Sequence, residues 1–508
     1  MTTLVRGSDT LTRDALTVLQ PGFVGTTAPD WLLRRIGEGL SSVGLFGRNV
    51  VGPEQLAALT ARLRAERDDV LVAIDEEGGD VTRLEVNEGS SFPGNYALGH
   101  VDDVELTRAV AHELGRRLAV CGIDLNWAPS ADVNSNADNP VIGVRSFGAD
   151  PELVARHTVA YVDGLQAAGV AACVKHFPGH GDTSVDSHDA LPRIDVDAAT
   201  LHARELRPFR AAIDAGTKAV MSAHILLPAL DPEHPATLSP RILTGLLRRE
   251  LGFDGLIVTD GMEMRAVAAT YGIERGSVLA IAAGADAICV GGGLSDEDTV
   301  LRLRDALVTA VRTGELPEER LADAAKRVRA LAAWTRAHRA GGTAPEPGAA
   351  PQEGTAPGAG AEVGLVAARR ALTVTPGEAP FAPLSEAPYV ASFTPVANFA
   401  VGDETPWGVA AELDRLLPGT RAGSYGTDAT VDGVLTAAGE RRVVAVVRDL
   451  HRHPWMSAVL DALLAARPDT VVVEMGLNES EPRGALHVAT HGAARVCGRA
   501  AAEAITGR

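Results

Sequence analysis

The sequence predicts a (β/α)8 TIM barrel followed by a smaller α/β sandwich domain. The first observation behind this is a repeat: a short apolar run, a Gly-rich polar turn and a segment of helical period recur eight times between Leu16 and Ala337. Short continuous apolar strands alternating with helices imply parallel strands and crossover helices. The second is that polar residues fall just past successive strand ends, where barrels of this kind carry their functional groups. The third is a stretch, residues 341–362, rich in Gly, Ala and Pro and without periodicity, after which the alternation resumes.

The strand runs are Leu16–Phe23, Val43–Phe46, Val70–Ile74, Ile123–Trp127, Val170–Val174, Ala219–Ala223, Leu256–Thr259 and Ala287–Val290. Between them, Pro53–Glu66, Val104–Val120, Glu152–Ala168, Ala198–Ala215, Pro240–Leu251 and Asp296–Thr313 carry the helical period, and Pro317–His338 closes the domain. A doubly wound open sheet is the weaker alternative for this pattern. The domains expected are a barrel over 1–340, a flexible linker over 341–362 and a sandwich over 363–508. In the last, Ala371–Val374, Val390–Phe393, Val443–Val447, Thr470–Met475 and Leu486–Ala489 read as strands, with helices at Gly408–Leu417 and Met456–Ala465. His451 and His453 in RDLHRHPW read as loop-stabilising.

The chain has 508 residues, 46% apolar and 22% charged, in the range of ordinary globular proteins. A net charge of −19 argues against nucleic acid and against anionic membrane surfaces as partners. The four cysteines, Cys121, Cys173, Cys289 and Cys497, are scattered without metal spacing and are expected to be buried free thiols. MTTLVRGSDTLTRDALTVL has neither the apolar core of a signal peptide nor the length of a membrane anchor, so a cytoplasmic enzyme is expected.

The densest chemistry lies between Val174 and Leu191, where Lys175, His176, His180, Asp182, Asp186 and His188 crowd one loop broken by Gly and Pro. Folding does not demand such a set, and functional residues concentrate on loops held by a rigid scaffold. Asp186 and His188 are two apart; a carboxylate beside an imidazole fixes its tautomer and lets it act as general acid and then base. Phe177–Ser184 reads as a mobile span. His176 and His180 stand four apart, but Phe177-Pro178-Gly179 breaks any helix there, so they define no metal-binding face. No metal and no cofactor are expected.

Two further stretches set carboxylates at strand ends. In VAIDEEGGDVTRL, residues 72–84, Asp75 ends a strand and can hold sugar hydroxyls or cap a helix; Arg83 follows, and Glu76 and Glu77 read as facing solvent or neighbouring loops. In GFDGLIVTDGMEM, residues 252–264, Asp260 closes a β-branched strand and can serve as a nucleophile or as a helix cap. Glu263 is the competing carboxylate and reads as packing or capping.

KHFPGHG (175–181) and DSH (186–188), with IDEEGG (74–79), NWAPSADV (126–133), NPVIGVRSFG (139–148), SAHI (222–225) and GFDGLIVTD (252–260), resemble glycoside hydrolase family 3. Within it they are similar to the β-N-acetylglucosaminidase branch. The resemblance implies that Asp260 is the nucleophile of a retaining mechanism and that His188, paired with Asp186, is the acid/base. It implies that Asp75, Arg83, Arg145, Lys175 and His176 bind a terminal N-acetylglucosamine, with His224 lining the site. Glycosidases ordinarily use two carboxylates; a histidine here replaces one, which argues for N-acetylglucosamine rather than glucose. The expected substrate is a small carbohydrate from cell-wall peptidoglycan or chito-oligosaccharides. A β-N-acetylglucosaminide phosphorylase is the alternative within the same chemistry, and a metal-dependent barrel hydrolase a remoter one. Gly261 departs from the Asp or Ala that many relatives carry there.

Overall fold

The computed structural model describes residues 2–184, 191–293, 296–340, 357–378, 381–395 and 405–508. They fall into two compact units. One comprises Met1–Glu77, Thr107–Pro140 and Ala149–Ala350; the other comprises Gly78–Leu106, Val141–Gly148 and Pro351–Arg508. The division by contacts thus differs from a cut along the sequence, because two segments from within the first 340 residues group with the C-terminal part. Of the expected linker, residues 341–356 lie outside the described residues, and 357–362 begin the helix Pro357–Ala371.

In the first unit all eight expected strands form: β1 (Leu19–Pro21), β2 (Ser42–Leu45), β3 (Leu71–Ile74), β4 (Leu125–Asn126), β5 (Ala171–Phe177), β6 (Ala219–Ser222), β7 (Leu256–Thr259) and β8 (Ile288–Val290). Every ladder is parallel, in the orders β8–β1 and β2 through β7. A parallel bridge between Val258 and Ala287 joins β7 to β8, so the sheet curls into a TIM-type barrel with its seam between β1 and β2. Side chains close that seam. Arg48 Nε donates to Phe23 O at 3.0 Å, and Asn49 Nδ2 donates to Phe23 O at 3.0 Å and Gly25 O at 2.8 Å.

The strands are mostly apolar because both faces are covered. Leu71, Ala73, Leu125, Ala171, Cys173, Ala219, Met221, Leu256, Val258 and Cys289 fill the barrel interior, while the alternate residues pack against the helices. Two buried aspartates pin the other end of the barrel. Asp124 accepts from Arg64 at 2.7 Å and from Val72 N at 2.9 Å; Asp286 accepts from Arg320 at 2.6 Å and from Ile257 N at 2.9 Å.

The second unit is built on a six-stranded sheet: β9 (Thr373–Pro376), β10 (Tyr389–Phe393), β11 (Arg421–Tyr425), β12 (Val443–Val447), β13 (Val471–Glu474) and β14 (Leu486–Ala489). Their order is β11–β10–β12–β13–β14–β9, with β9 the one antiparallel member. Apolar clusters on both faces, one around Val390, Val444, Val473 and Val488 and one around Ala391, Val447 and Val472, make it an α/β sandwich. Among the described residues no helix is long and apolar enough to cross a membrane.

Candidate active site

Strand ends of the barrel deliver the candidate residues. In a regular strand, consecutive side chains point to opposite faces. The pairing of β5 with β6 shifts register between Val174 and Phe177, and such irregularities re-aim side chains. Lys175 and His176 therefore both engage groups at neighbouring strand ends.

Lys175 Nζ lies 2.5 Å from Asp75 Oδ1 and 2.6 Å from Glu77 Oε1. The Lys175 and Glu77 side chains are each 3% exposed and that of Asp75 is 19% exposed, so Asp75 is the more open carboxylate of the pair. A buried ammonium is tolerated because it is paired. Of the two expectations for Glu76 and Glu77, solvent or neighbouring loops, their burial excludes the first. The chain past β3 is tied down on both sides. Glu76 N donates to Asn126 Oδ1 at 2.9 Å, Asn126 Nδ2 donates to Glu76 O at 2.7 Å, and Tyr161 Oη donates to Glu77 O at 2.8 Å.

His176 is organised by Asp132. The Asp132 carboxylate meets His176 Nδ1 at 2.7 Å, His176 N at 3.2 Å, His180 N at 2.7 Å and Ser130 Oγ at 2.9 Å. Burial alone would raise its pKa; the charge and hydrogen bond of His176, helped by His180, hold it instead well below the usual carboxylate range. His180 behaves oppositely: burial, then the charge of His176, lowers it to about 4, so it is neutral at neutral pH.

The described part of the loop is pinned where sequence composition suggested mobility. Phe177 belongs to β5 and packs edge-on to Phe209, ring centroids 5.2 Å apart. Asn139 Nδ2 donates to His180 O at 2.9 Å, Gly181 O at 3.0 Å and Thr183 Oγ1 at 3.3 Å. A Cβ on Gly181 would lie 1.7 Å from Val133 O, so glycine there serves close backbone approach and not flexibility. Asp186 and His188 lie outside the described residues.

Asp260 follows β7, with its amide donating to Ser222 O at 3.2 Å and its Oδ1 accepting from Gly261 N at 2.8 Å. His224 does not reach outward: Nε2 lies 3.0 Å from Gly261 O and Nδ1 lies 2.9 Å from Thr237 Oγ1. A carbonyl can only accept, so Nε2 carries a proton, and the ring braces the turn that presents Asp260. A Cβ on Gly261 would meet nothing nearer than 3.4 Å, so an alanine there would fit. One oxygen of Glu263, Oε1, holds the chain after β8, accepting from Gly291 N at 2.9 Å and Gly293 N at 3.3 Å. The Cys173 thiol is pushed up, by burial first, with Lys175, Asp75 and Asp260 all acting on it. Asp75 after β3, Lys175 in β5 and Asp260 after β7 thus stand toward the C-terminal side of the same parallel sheet.

Arg83 and Arg145 fall in the second unit. Arg145 is buried at the end of the turn Gly143–Arg145; its carbonyl accepts from Asn95 Nδ2 at 2.8 Å and its Nη1 donates to Val141 O at 3.2 Å. Arg83 is half-buried. In the sequence Asp132 appears only within NWAPSADV, with no role given to it. A signal was available: in a parallel barrel the chain that follows β4 neighbours β5, which carries His176.

Residues 34–331 match the glycosyl hydrolase family 3 N-terminal domain. A β-hexosaminidase of Chromobacterium violaceum is 38% identical over 269 residues, 52% of this chain and 74% of that one. β-Hexosaminidase A of Pseudoalteromonas piscicida is 36% identical over 312 residues, 56% of this chain, which spans 52% of that relative's length. The solved structure of a glycoside hydrolase family 3 β-N-acetylglucosaminidase from Paenibacillus sp. str. FPU-7 matches with a TM-score of 0.85 and 35% identity, over 98% of this chain and 96% of that one. On the extent of that family match and the likeness of both units, the chain belongs to glycosyl hydrolase family 3.

Proposed function

We propose that this chain is a retaining exo-β-N-acetylglucosaminidase. It releases terminal N-acetylglucosamine from small carbohydrates, either peptidoglycan fragments or chito-oligosaccharides, in the cytoplasm. The observation that supports the reading is that Asp75 with its Lys175 partner, and Asp260, belong to the C-terminal ends of strands of one parallel barrel, the face on which such barrels carry their chemistry. The names of the relatives supply the sugar.

In this mechanism a carboxylate oxygen of Asp260 bonds to the anomeric carbon as the glycosidic C–O bond breaks, and His188 gives its proton to the leaving oxygen. Water then attacks the same carbon, returning a proton to His188 and releasing Asp260, so configuration is retained. Asp186 orients His188; both roles rest on the family resemblance. Asp75, Lys175 and His176 hold the sugar, with Arg83 and Arg145 assigned the same role by resemblance. His224 positions Asp260 through Gly261 O. The barrel over 1–340 carries this chemistry, and the domain over 363–508, beyond the linker, supplies no acid/base.

Replacing Asp260 with Ala tests the reading on a chromogenic β-N-acetylglucosaminide: activity falls by several orders of magnitude, and near-wild-type turnover overturns it. His188→Ala is expected to slow poor leaving groups far more than activated phenols; equal losses would remove the acid role. In phosphate buffer the main product should be free N-acetylglucosamine, and a sugar 1-phosphate in its place would make the enzyme a phosphorylase.

A further inference from the structure

Beneath the loop that carries Lys175 and His176 lies a charged cluster with no part in the mechanism above. Residues Leu201–Glu205 are wound as a π-turn between the helical stretches Ala198–Thr200 and Leu206–Asp214. Such turns occur mostly as local insertions, frequently at functional sites. Here the turn places two consecutive side chains, Arg204 and Glu205, against one loop. Arg204 Nη2 donates to Asp182 Oδ2 at 2.6 Å and its Nε donates to Glu205 Oε1 at 2.6 Å.

Glu205 is 0% exposed, yet its second oxygen, Oε2, has no hydrogen-bond partner among the described residues. A carboxyl kept only for stability satisfies both oxygens or gives way to an apolar side chain. A Cβ on Gly179 would lie 2.8 Å from both the Cβ and the Oε2 of Glu205, so the loop rests directly on this group. Ser184, two residues past Asp182, is the last described residue before the segment bearing Asp186 and His188. Asp182 is thus held by Arg204 and Thr183 by Asn139, the last two side-chain anchors before Ser184 among the described residues.

We propose that Arg204 and Glu205 are positioning residues for the proton-transfer step: Arg204 clamps Asp182 and so sets the departure of the loop, and Glu205 governs how Arg204 is shared. The groups facing Glu205 are Arg204, which favours its ionised form, and Asp132 and Asp182, which oppose it. Burial is the largest influence, and together these push Glu205 up to about 7. Below that pH Glu205 is neutral and the charge of Arg204 goes to Asp182. Above it Arg204 is divided, and a second buried negative charge faces Asp132, the carboxylate that holds His176 and His180. The clamp on Asp182 is firmest on the acid side.

The proposal rests on the hydrolase reading for its readout, and Asp260→Ala separates the two: a variant of Asp260 that stays active defeats that reading and not this one. Arg204→Ala, Arg204→Lys and Glu205→Gln are compared with wild type on an activated aryl β-N-acetylglucosaminide and on an unactivated disaccharide across pH, with thermal melting to monitor the fold. Arg204→Ala should lower kcat on the disaccharide by about tenfold or more, a part of what a positioned acid contributes, with KM and the aryl rate little changed. Arg204→Lys should recover part of the loss. Glu205→Gln should remove or displace the inflection near neutrality in kcat. Losses equal on both substrates, a change in KM alone, or unchanged kcat and pH profiles in folded variants overturn the proposal. Should Arg204→Ala fail to fold, the near-isosteric Glu205→Gln decides: an unchanged pH profile refutes it.

Discussion

Asp132 in the first unit and Glu474 in the second invite comparison. Glu474 is the last residue of β13 and Asp132 lies in the chain that follows β4; each is a buried carboxyl that accepts backbone amides. Glu474 takes Asp449 N at 2.9 Å, Leu450 N at 3.2 Å and Gly476 N at 2.8 Å. Yet Asp132 is held well below the usual carboxylate range, whereas Glu474 is pushed up to about 7, by burial first and then by the charge of Asp449. The amides are comparable, so they do not decide the outcome. What differs is the side chain opposite: an imidazole in one case, another carboxylate in the other. A strand-end carboxyl that only gathers amides closes a turn, here the one carrying His451 and His453. The same group facing a histidine keeps its charge and orients that histidine for use.

The largest effects should therefore fall in the first unit. Asp260→Ala removes the nucleophile and costs several orders of magnitude. Asp132→Asn is the sharper test of the comparison, since it keeps the shape and removes the charge. It should lower kcat/KM by about 10²-fold, the scale of a misplaced binding group. Breaking a buried pair from one side should also cost about 3–5 kcal/mol of stability. Steady-state kinetics with chemical denaturation measure both. A variant with normal kcat/KM would show that His176 does not depend on Asp132.

Most of this frame was legible in the sequence, for a physical reason. Strands buried on both faces are apolar at most positions, so runs such as Leu256–Thr259 announce themselves. β11, Arg421–Tyr425, did not, because an edge strand with mostly exposed or half-exposed residues needs no apolar run. Some strand-end residues were legible as well: Asp75 and Asp260 directly follow β3 and β7, and His224 lies just past β6, whereas Lys175 and His176, expected just past Val174, lie inside β5, which runs on to Phe177. What they do to one another was less so. That His224 meets Thr237 and Gly261 with its two nitrogens, and that Glu77 takes Lys175 from β5, is not written in the local sequence. Partnerships between loops far apart in sequence leave no periodic trace. Gly181 misled for a related reason: glycine marks flexibility and close packing with the same letter.

The smallest expected effect lies in Glu474→Gln, which should leave kcat and KM within about twofold of wild type because its partners are amides of its own unit. Its signature is in stability against pH. The folded pKa of Glu474 is raised from 4.5 to about 7, so the folded state binds the proton more tightly than the unfolded one. The stabilisation this gives is fully present below about 4.5 and is lost as pH rises through 7, a change on the order of 3 kcal/mol. Melting temperature should accordingly fall across that window in wild type and fall less in Glu474→Gln. Glu205, also raised to about 7, titrates in the same window, so part of the slope should persist. Asp132 has the opposite sign, with stability present above the unfolded pKa and lost only in acid. If Glu474→Gln instead abolished turnover while its melting curve kept the wild-type slope, the carboxyl would be working and not capping, and the contrast with Asp132 would fail.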